Sequence, residues 1–410
     1  MARGNLSSKP GLTAWMLDLR QLDLPREFLL LLALLRCTSK QELEADIDSF
    51  VPQPVDWQAF VALIDRHLVA PFVHSQLSSW GAGVVPDHVQ SQIRERYRSN
   101  GLHALLLASE FTRLAKLFET NGIPVLPLKG FALAVQVYGD LSMRHSGDLD
   151  VLVPPRDADS AAELLRSNGY VNIDSSVRHT AYQRERIKQF RNHFVYRNQE
   201  KGIKLELHWR LLEPRYLFNV SLDELLARAQ TIVVGDRQLK VLSIEDTLLF
   251  ALTHGASHAW NHLFWLCDVS RILRQGCGLD WHRIVGRAVQ LGISRPLAQG
   301  LILSHQLLDT SVPYEVLVVA ERDPVIQSLL ETAIQAIRRQ DPFPTTLTGR
   351  IQDVRYQIKL SRSVVHKLDH VGSRLLDIDG WDSLPLPNAL FPLYYLLGPL
   401  TWMARRLRKD

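Results

Sequence analysis

Gly147-Asp148-Leu149-Asp150-Val151-Leu152-Val153 is the stretch on which the reading of the fold turns. It reads as a short strand. Side chains two apart in a strand share a face, so Asp148 and Asp150 project together while Leu149, Val151 and Val153 enter a core. Two adjacent carboxylates repel, and each raises the other's pKa unless a cation intervenes. A hard cation such as Mg²⁺ accepts oxygen ligands of this kind and commonly joins one or two carboxylates to substrate phosphates. Asp-Leu-Asp is common by chance and reads equally as a solvated strand start, so its neighbours decide.

Upstream, Leu102 to Thr120 has helical spacing and ends at Asn121-Gly122. Ile123 to Leu128 then reads as a short strand, followed by Lys129-Gly130 and a helix over Phe131 to Tyr138. Gly130 permits close backbone approach at a helix start, where anions bind readily, and Lys129 can neutralise a phosphate. Arg144 reads either as a phosphate contact or as one half of a structural ion pair. Downstream, Asp157 to Asn168 reads as a helix. Phe190–Arg197 and Ile203–Arg210 flank the turn-rich Asn198-Gln199-Glu200-Lys201-Gly202 as a hairpin. In its second arm Ile203, Leu205, Leu207 and Trp209 alternate with Lys204, Glu206, His208 and Arg210, the pattern of a half-buried strand. Glu206 is therefore a third carboxylate on a neighbouring strand. Three such groups can hold two metal ions that clamp the attacking and leaving oxygens of phosphoryl or nucleotidyl transfer. His208 shares the face of Glu206, and His193 on the preceding arm is a further candidate for the same cleft.

The rest of the chain reads as mostly helical. The expected divisions are a loose leader over 1–22, an N-terminal helical region over 23–101, an α/β core over 102–242, a helical domain over 243–345, and a proline-containing helical segment over 346–410. Ser243-Ile244-Glu245-Asp246 is an N-cap signature. His254 and His258 are four apart and share a helix face. With Asp268 they suggest a zinc site only weakly, because the Glu that usually follows the first His is missing. A helix-packing cluster with Trp260 and Trp265, or a border of the cleft, fits them better. Arg184, Arg186, Lys188 and Arg191 form a basic run that reads as a solvated face, or as a contact for an acidic acceptor.

Composition is that of a globular protein, with 46% apolar and 22% charged residues. With 47 basic against 43 acidic residues the net charge is only +4, which gives no strong nucleic-acid signal. Three cysteines, Cys37, Cys267 and Cys277, speak against a disulfide framework and match no familiar zinc spacing. The apolar run Phe28–Leu35 is too short to span a bilayer, and no signal core follows the N-terminus. A cytoplasmic location is expected. The apolar C-terminus, Leu384 to Leu407, is interrupted by prolines and ends in Arg405-Arg406-Leu407-Arg408-Lys409. It is expected to pack on the protein, with a weak membrane-surface contact as the alternative.

Leu128-Lys129-Gly130, Arg144-x-x-Gly147-Asp148-Leu149-Asp150-Val151-Leu152-Val153 and Leu205-Glu206-Leu207-His208-Trp209 together resemble the uncharacterised nucleotidyltransferase family of the polymerase-beta-like superfamily. Glu245-Asp246-Thr247-Leu248-Leu249, His254, His258-Ala259-Trp260 and Leu263-Phe264-Trp265-Leu266-Cys267-Asp268 are similar to its helical part. The resemblance implies an α+β fold, a small mixed sheet with flanking helices, between N-terminal and C-terminal helical regions. It implies Mg²⁺-dependent transfer of a nucleoside monophosphate from an NTP, ATP foremost, to an unidentified acceptor, with Mn²⁺ as a substitute metal. Asp148 and Asp150 match the family's metal pair, and Glu206 stands where the third acidic residue is expected. Lys129, Gly130, Arg144 and Gly147 fall where phosphates are handled. Better-known superfamily members carry Gly-Ser before the metal strand, where this chain reads Lys129-Gly130-Phe131. A non-catalytic, partner-binding or antitoxin-like protein on the same fold is the alternative.

Overall fold

The computed structural model describes residues 24–407, except 51–53, 81–82, 175–179, 214, 277, 314–315, 318–319, 321, 340–345, 377, 379–380 and 382–383. The leader expected over 1–22 lies outside the described residues, as do Cys277 and the last three residues.

Four helices come first: α1 (Arg26–Arg36), α2 (Lys40–Phe50), α3 (Trp57–His67) and α4 (Ala70–Trp80). The long α5 (Asp87–Thr120) follows. It passes without a break through the division expected at 101/102. Gly101 does not end the helix; a Cβ there would come 2.6 Å from Ser142 Oγ, so glycine admits the turn that packs across it. Five strands then form one sheet: β1 (Leu126–Pro127), β2 (Leu149–Leu152), β3 (Val171–Asn172), β4 (His193–Asn198) and β5 (Ile203–His208), in the spatial order β1-β2-β5-β4-β3. β2 and β5 are parallel and every other pair is antiparallel, so the sheet is small and mixed. The expected hairpin is β4–β5. Helix α6 (Phe131–Leu133) continues as a π-turn to Tyr138 between β1 and β2. α7 (Ala158–Ser167) and α8 (Ala181–Phe190) also interrupt the strands. A short α9 (Leu222–Leu226) and a separate hairpin, β6 (Gln230–Val234) with β7 (Arg237–Val241), lead to helices again. These are α10 (Ile244–Ser257), α11 (Leu263–Arg274), α12 (Trp281–Gln290), α13 (Ser294–Leu308), α14 (Val325–Arg338), α15 (Leu347–Lys359), α16 (Val364–Leu376) and α17 (Tyr394–Leu407).

Alternation separates the two faces of the sheet. Leu149, Val151, Leu205 and Leu207 are fully buried and pack with Leu107, Phe111, Leu114 and Phe118 of α5 and Ala161 and Leu165 of α7. At about 1.5–3 kcal/mol for each large apolar side chain buried, this face carries the stability of the sheet. The other face carries Asp148, Asp150, Lys204, Glu206 and His208. Leu152, next along it, joins a different core, built by α1–α5 together with the helices after residue 243. The N-terminal helices and the later helices thus share one apolar interior. A third, smaller cluster sets Ile187 of α8 against Leu376, Trp381, Phe391 and Tyr394, so part of the C-terminal segment packs on the protein. Leu396, Leu400 and Met403 of α17 remain exposed. No helix among the described residues is long and apolar enough to cross a membrane.

Two details hold the later helices in place. Ala259 and Trp260 both have positive φ, 51° and 56°, and turn the chain between α10 and α11. The fully buried Trp260 ring lies against Gly255 and Gly300, where a Cβ would come within 2.4 and 2.6 Å of it. His67 at the end of α3 is fully buried; its Nδ1 accepts from the Leu263 N–H at 3.3 Å. Burial, then Arg66 and His262, pushes His67 down to about 3, so it folds neutral.

Two outcomes follow. Gly300→Ala should cost about 1–3 kcal/mol by overpacking the Trp260 contact, read as a lower urea midpoint; an unchanged midpoint contradicts the packing. Below about pH 6.5 the unfolded chain can protonate His67 while the folded chain cannot, so stability is lost as pH falls. His67→Gln should flatten the loss between pH 6.5 and 4 by about 3 kcal/mol at most. Parallel stability curves for the two proteins would contradict it.

Candidate functional site

Register places the acidic residues. β2 and β5 pair Asp150 with Glu206 and Leu152 with His208, and β5 and β4 pair His208 with His193. Asp148, Asp150, Glu206, His208 and His193 therefore come together. Asp150 is buried, at 3% exposure, and Asp148 and Glu206 are partly covered.

Cations and N–H donors answer this charge. Lys129 Nζ lies 3.1 Å from Asp150 Oδ1. Lys204 Nζ bridges Asp148 Oδ2 at 3.0 Å and Glu206 Oε1 at 2.8 Å. His208 Nε2 donates to Asp150 Oδ1 at 3.1 Å and approaches Glu206 Oε2 at 3.4 Å. Burial, then Asp150, raises the Asp148 carboxyl. For Asp150 burial acts upward, but Lys129 and His208 outweigh it and hold the group low. Glu206 is held far below the usual carboxylate range against burial, chiefly by His208 and Lys129. Burial works against the Lys129 charge, yet Asp150, Asp148 and Glu206 raise its pKa.

Asn192, just before β4, organises the two imidazoles. Its Oδ1 accepts from His193 Nδ1 at 2.9 Å; its Nδ2 faces His208 Nδ1 at 3.2 Å and donates to the Leu211 carbonyl at 3.3 Å. Burial, then His208, pushes His193 down to about 4. His193, Glu206 and His208 offer ligand atoms that all lie within 4.8 Å of one another.

Gly130 has φ 64° and ψ −130°, a backbone state that only glycine adopts freely, and a Cβ there would press on Ser146 Oγ at 3.3 Å. Gly147 is exposed beside Asp148. Arg144 is 4% exposed and its Nε lies 2.9 Å from Asp268 Oδ2, while Tyr138 donates to Asp268 Oδ1 at 2.9 Å. Asp268 is thereby committed to Arg144 and Tyr138 rather than to His254 and His258. His254 and His258 have ring centroids 4.7 Å apart, and His258 stacks on Trp265 at 5.2 Å. Surrounding protein, then Lys129, pushes His258 down to about 4, although its ring keeps a solvent-facing side. Burial, then His258 and Lys129, lowers His254 also, so the pair sits within electrostatic reach of the cluster. In the basic run, Lys188 pairs with Asp159 and Glu185, and Arg186 lies over the rings of Tyr182 and Phe391. Asn192 and Lys204 had no assigned role in the sequence. Lys204 was visible as a member of the polar strand face; Asn192, outside both strands, had no periodic signal.

Residues 53–309 match the family described as an uncharacterised nucleotidyltransferase. The match covers more than half of the chain, and the chain belongs to this family. A search of curated proteins finds no match.

The donor set fits a divalent cation. Asp150 and Glu206 are register neighbours, Lys204 joins Glu206 to Asp148, and Asp150 Oδ2, fully buried, has no hydrogen-bond partner. Lys204 shows that one cationic centre can touch Asp148 and Glu206 together.

The Arg144–Asp268 pair links the segment before β2 to α11. Removing one member of a buried pair costs about 3–5 kcal/mol because it strands the other charge. Asp268→Ala should lose that much in urea denaturation, and Arg144→Met in the same chain should restore part of it. Additive losses from the two changes would show that the pair does not act as a unit.

Proposed function

We propose that this chain is a divalent-cation-dependent nucleotidyltransferase built on a polymerase-beta-like core, with β1–β5 as its sheet. The observation that carries the reading is the convergence of Asp148, Asp150 and Glu206 from two adjacent parallel strands, with one buried carboxylate oxygen left without a partner. Asp148, Asp150 and Glu206 would hold Mg²⁺, or Mn²⁺ in its place. The ion supplies charge neutralisation and alignment of the phosphates. The donor is an NTP, ATP foremost. The acceptor is a small molecule, peptide or protein that offers a hydroxyl or phosphate oxygen. That oxygen attacks the α-phosphorus, the bond to the β-phosphate bridging oxygen breaks, and pyrophosphate leaves. Glu206 completes the oxygen set or receives the acceptor's proton. Lys129 and Lys204, which pair with carboxylates here, are the cations placed to turn to phosphate oxygens. Gly130 allows close backbone approach on the same side as Lys129. His254 and His258, neutral and near the cluster, border the cleft on which a base or acceptor would lie.

Incubation with each α-labelled NTP and Mg²⁺, followed by product mass, tests this. Addition of a nucleoside monophosphate is expected, falling to background in Asp148→Ala/Asp150→Ala. Addition of a phosphate alone would instead point to γ-phosphoryl transfer. Equal incorporation by wild type and the double variant, with no nucleotide binding at millimolar concentration in calorimetry, would overturn the reading in favour of a non-catalytic partner-binding protein.

A further inference from the structure

We infer that His193 is a nitrogen ligand for the cation held at this carboxylate cluster, and that Asn192 excludes His208 from the same role. This deepens the cation-dependent reading above and rests on it. It also shifts the expected ion from one that prefers oxygen alone toward one that accepts imidazole nitrogen beside carboxylate oxygen, with Mn²⁺ as the spectroscopic probe.

Distance alone admits both rings. Two ligands at about 2.1 Å from one ion stand about 3–4 Å apart. His193 Nε2 is 3.8 Å from Glu206 Oε2, and His208 Nε2 is 3.4 Å from the same oxygen. The proton positions separate them. The Asn192 amide is oriented by backbone carbonyls, which only accept: its Nδ2 faces the Leu211 oxygen, with Arg210 oxygen at 3.5 Å. Its Oδ1 must then face His193 Nδ1, which donates to it. A neutral His193 with its proton on Nδ1 has a lone pair on Nε2, directed toward Glu206. The other hydrogen of Nδ2 points to His208 Nδ1, which therefore accepts and carries no proton. His208 therefore holds its proton on Nε2, where it donates to Asp150; Asp150 and Glu206 raise its pKa, but a second proton would have to sit on Nδ1, against the Asn192 N–H. One side-chain amide thus imposes opposite tautomers on two rings whose centroids lie 4.8 Å apart. A metal-bound imidazole needs its lone pair on the ligating nitrogen and a proton on the other. His193 meets that condition as it stands. For His208 to meet it, Asn192 would have to turn its oxygen onto carbonyl oxygens, which repel it. His208 instead fixes Asp150 and Glu206 by hydrogen bonding, as a positioning residue. The buried Asp150 Oδ2, which no hydrogen bond reaches, supplies an independent sign that the cluster is built to receive a cation.

Pulsed EPR of the full-length protein with Mn²⁺ alone tests the assignment. One directly coordinated imidazole nitrogen is expected. Its ¹⁴N signature should change to that of ¹⁵N in protein grown with ¹⁵N-histidine, a control that needs no substitution. The coupling should vanish in His193→Ala and persist in His208→Ala. Mn²⁺ bound in an Asp148- and Asp150-dependent manner without any nitrogen coupling would overturn the inference and leave the cation-dependent reading intact. Two coupled nitrogens, or a coupling that survives His193→Ala, would overturn it as well. No Mn²⁺ binding at millimolar ion would instead sink the reading on which it rests.

Discussion

Parallel pairing of β2 with β5 sets Asp150 directly beside Glu206, and Asp148 lies one step along the same face. Backbone hydrogen bonds therefore force three negative side chains together. Two unit charges 4 Å apart interact by about 4 kcal/mol at an effective dielectric near 20, so the arrangement costs more than any single surface contact returns. Lys129, Lys204 and the His208 N–H are the response to that cost. Two ammonium groups against three carboxylates still leave one negative charge over when His208 is neutral. The apolar side of the same two strands, packed on α5 and α7, supplies the stability that allows the polar side to stay in tension.

The surrounding helices close the polar face rather than forming a remote appendage. Leu152 carries the site face directly into the core shared by α1–α5 and the helices after residue 243. Arg144 and Asp268 tie the segment before β2 to α11, and the buried Trp260 turn sets the entry angle of that helix. His254 of α10 and His258 just after it lie within electrostatic reach of Lys129 and Glu206, and Trp265 of α11 packs against both rings. On the proposed reading these rings make a wall of the site that is aromatic and uncharged at neutral pH. Such a wall suits a planar base or an apolar acceptor better than a second phosphate.

The sheet and its acidic face were legible because strand alternation is local. Ile203 to Arg210 shows a two-residue period, and Asp148 and Asp150 show the same period one strand away. Membership of the family rests on the order of these short motifs. The parallel pairing that joins Asp150 to Glu206 spans 56 residues of chain, and no local pattern encodes it. The continuity of α5 was hidden for a different reason: Gly101 resembles a helix terminator, and only the approach of Ser142 reveals that it serves a crossing. The common interior of the N-terminal and later helices was equally invisible, since amphipathic helices advertise a buried face without naming its partner. Asn192 was beyond reach because its role depends on two rings and a carbonyl brought together by the hairpin.

On the proposed reading, Lys204 and the cation contend for the same two carboxylates. An ion arriving alone would meet an ammonium already seated between Asp148 and Glu206, and displacing it would leave that ammonium without a partner in a partly buried place. An ion arriving with a triphosphate brings four negative charges or nearly so, and these give Lys204 and Lys129 new partners as the carboxylates turn to the metal. The exchange keeps every charge paired at each end. Cation and nucleotide would then strengthen one another's binding by the same factor, as linkage requires. The lysines that pair with the cluster in the free protein are, in this account, the groups that make it bind nucleotide and metal more tightly together than either one alone.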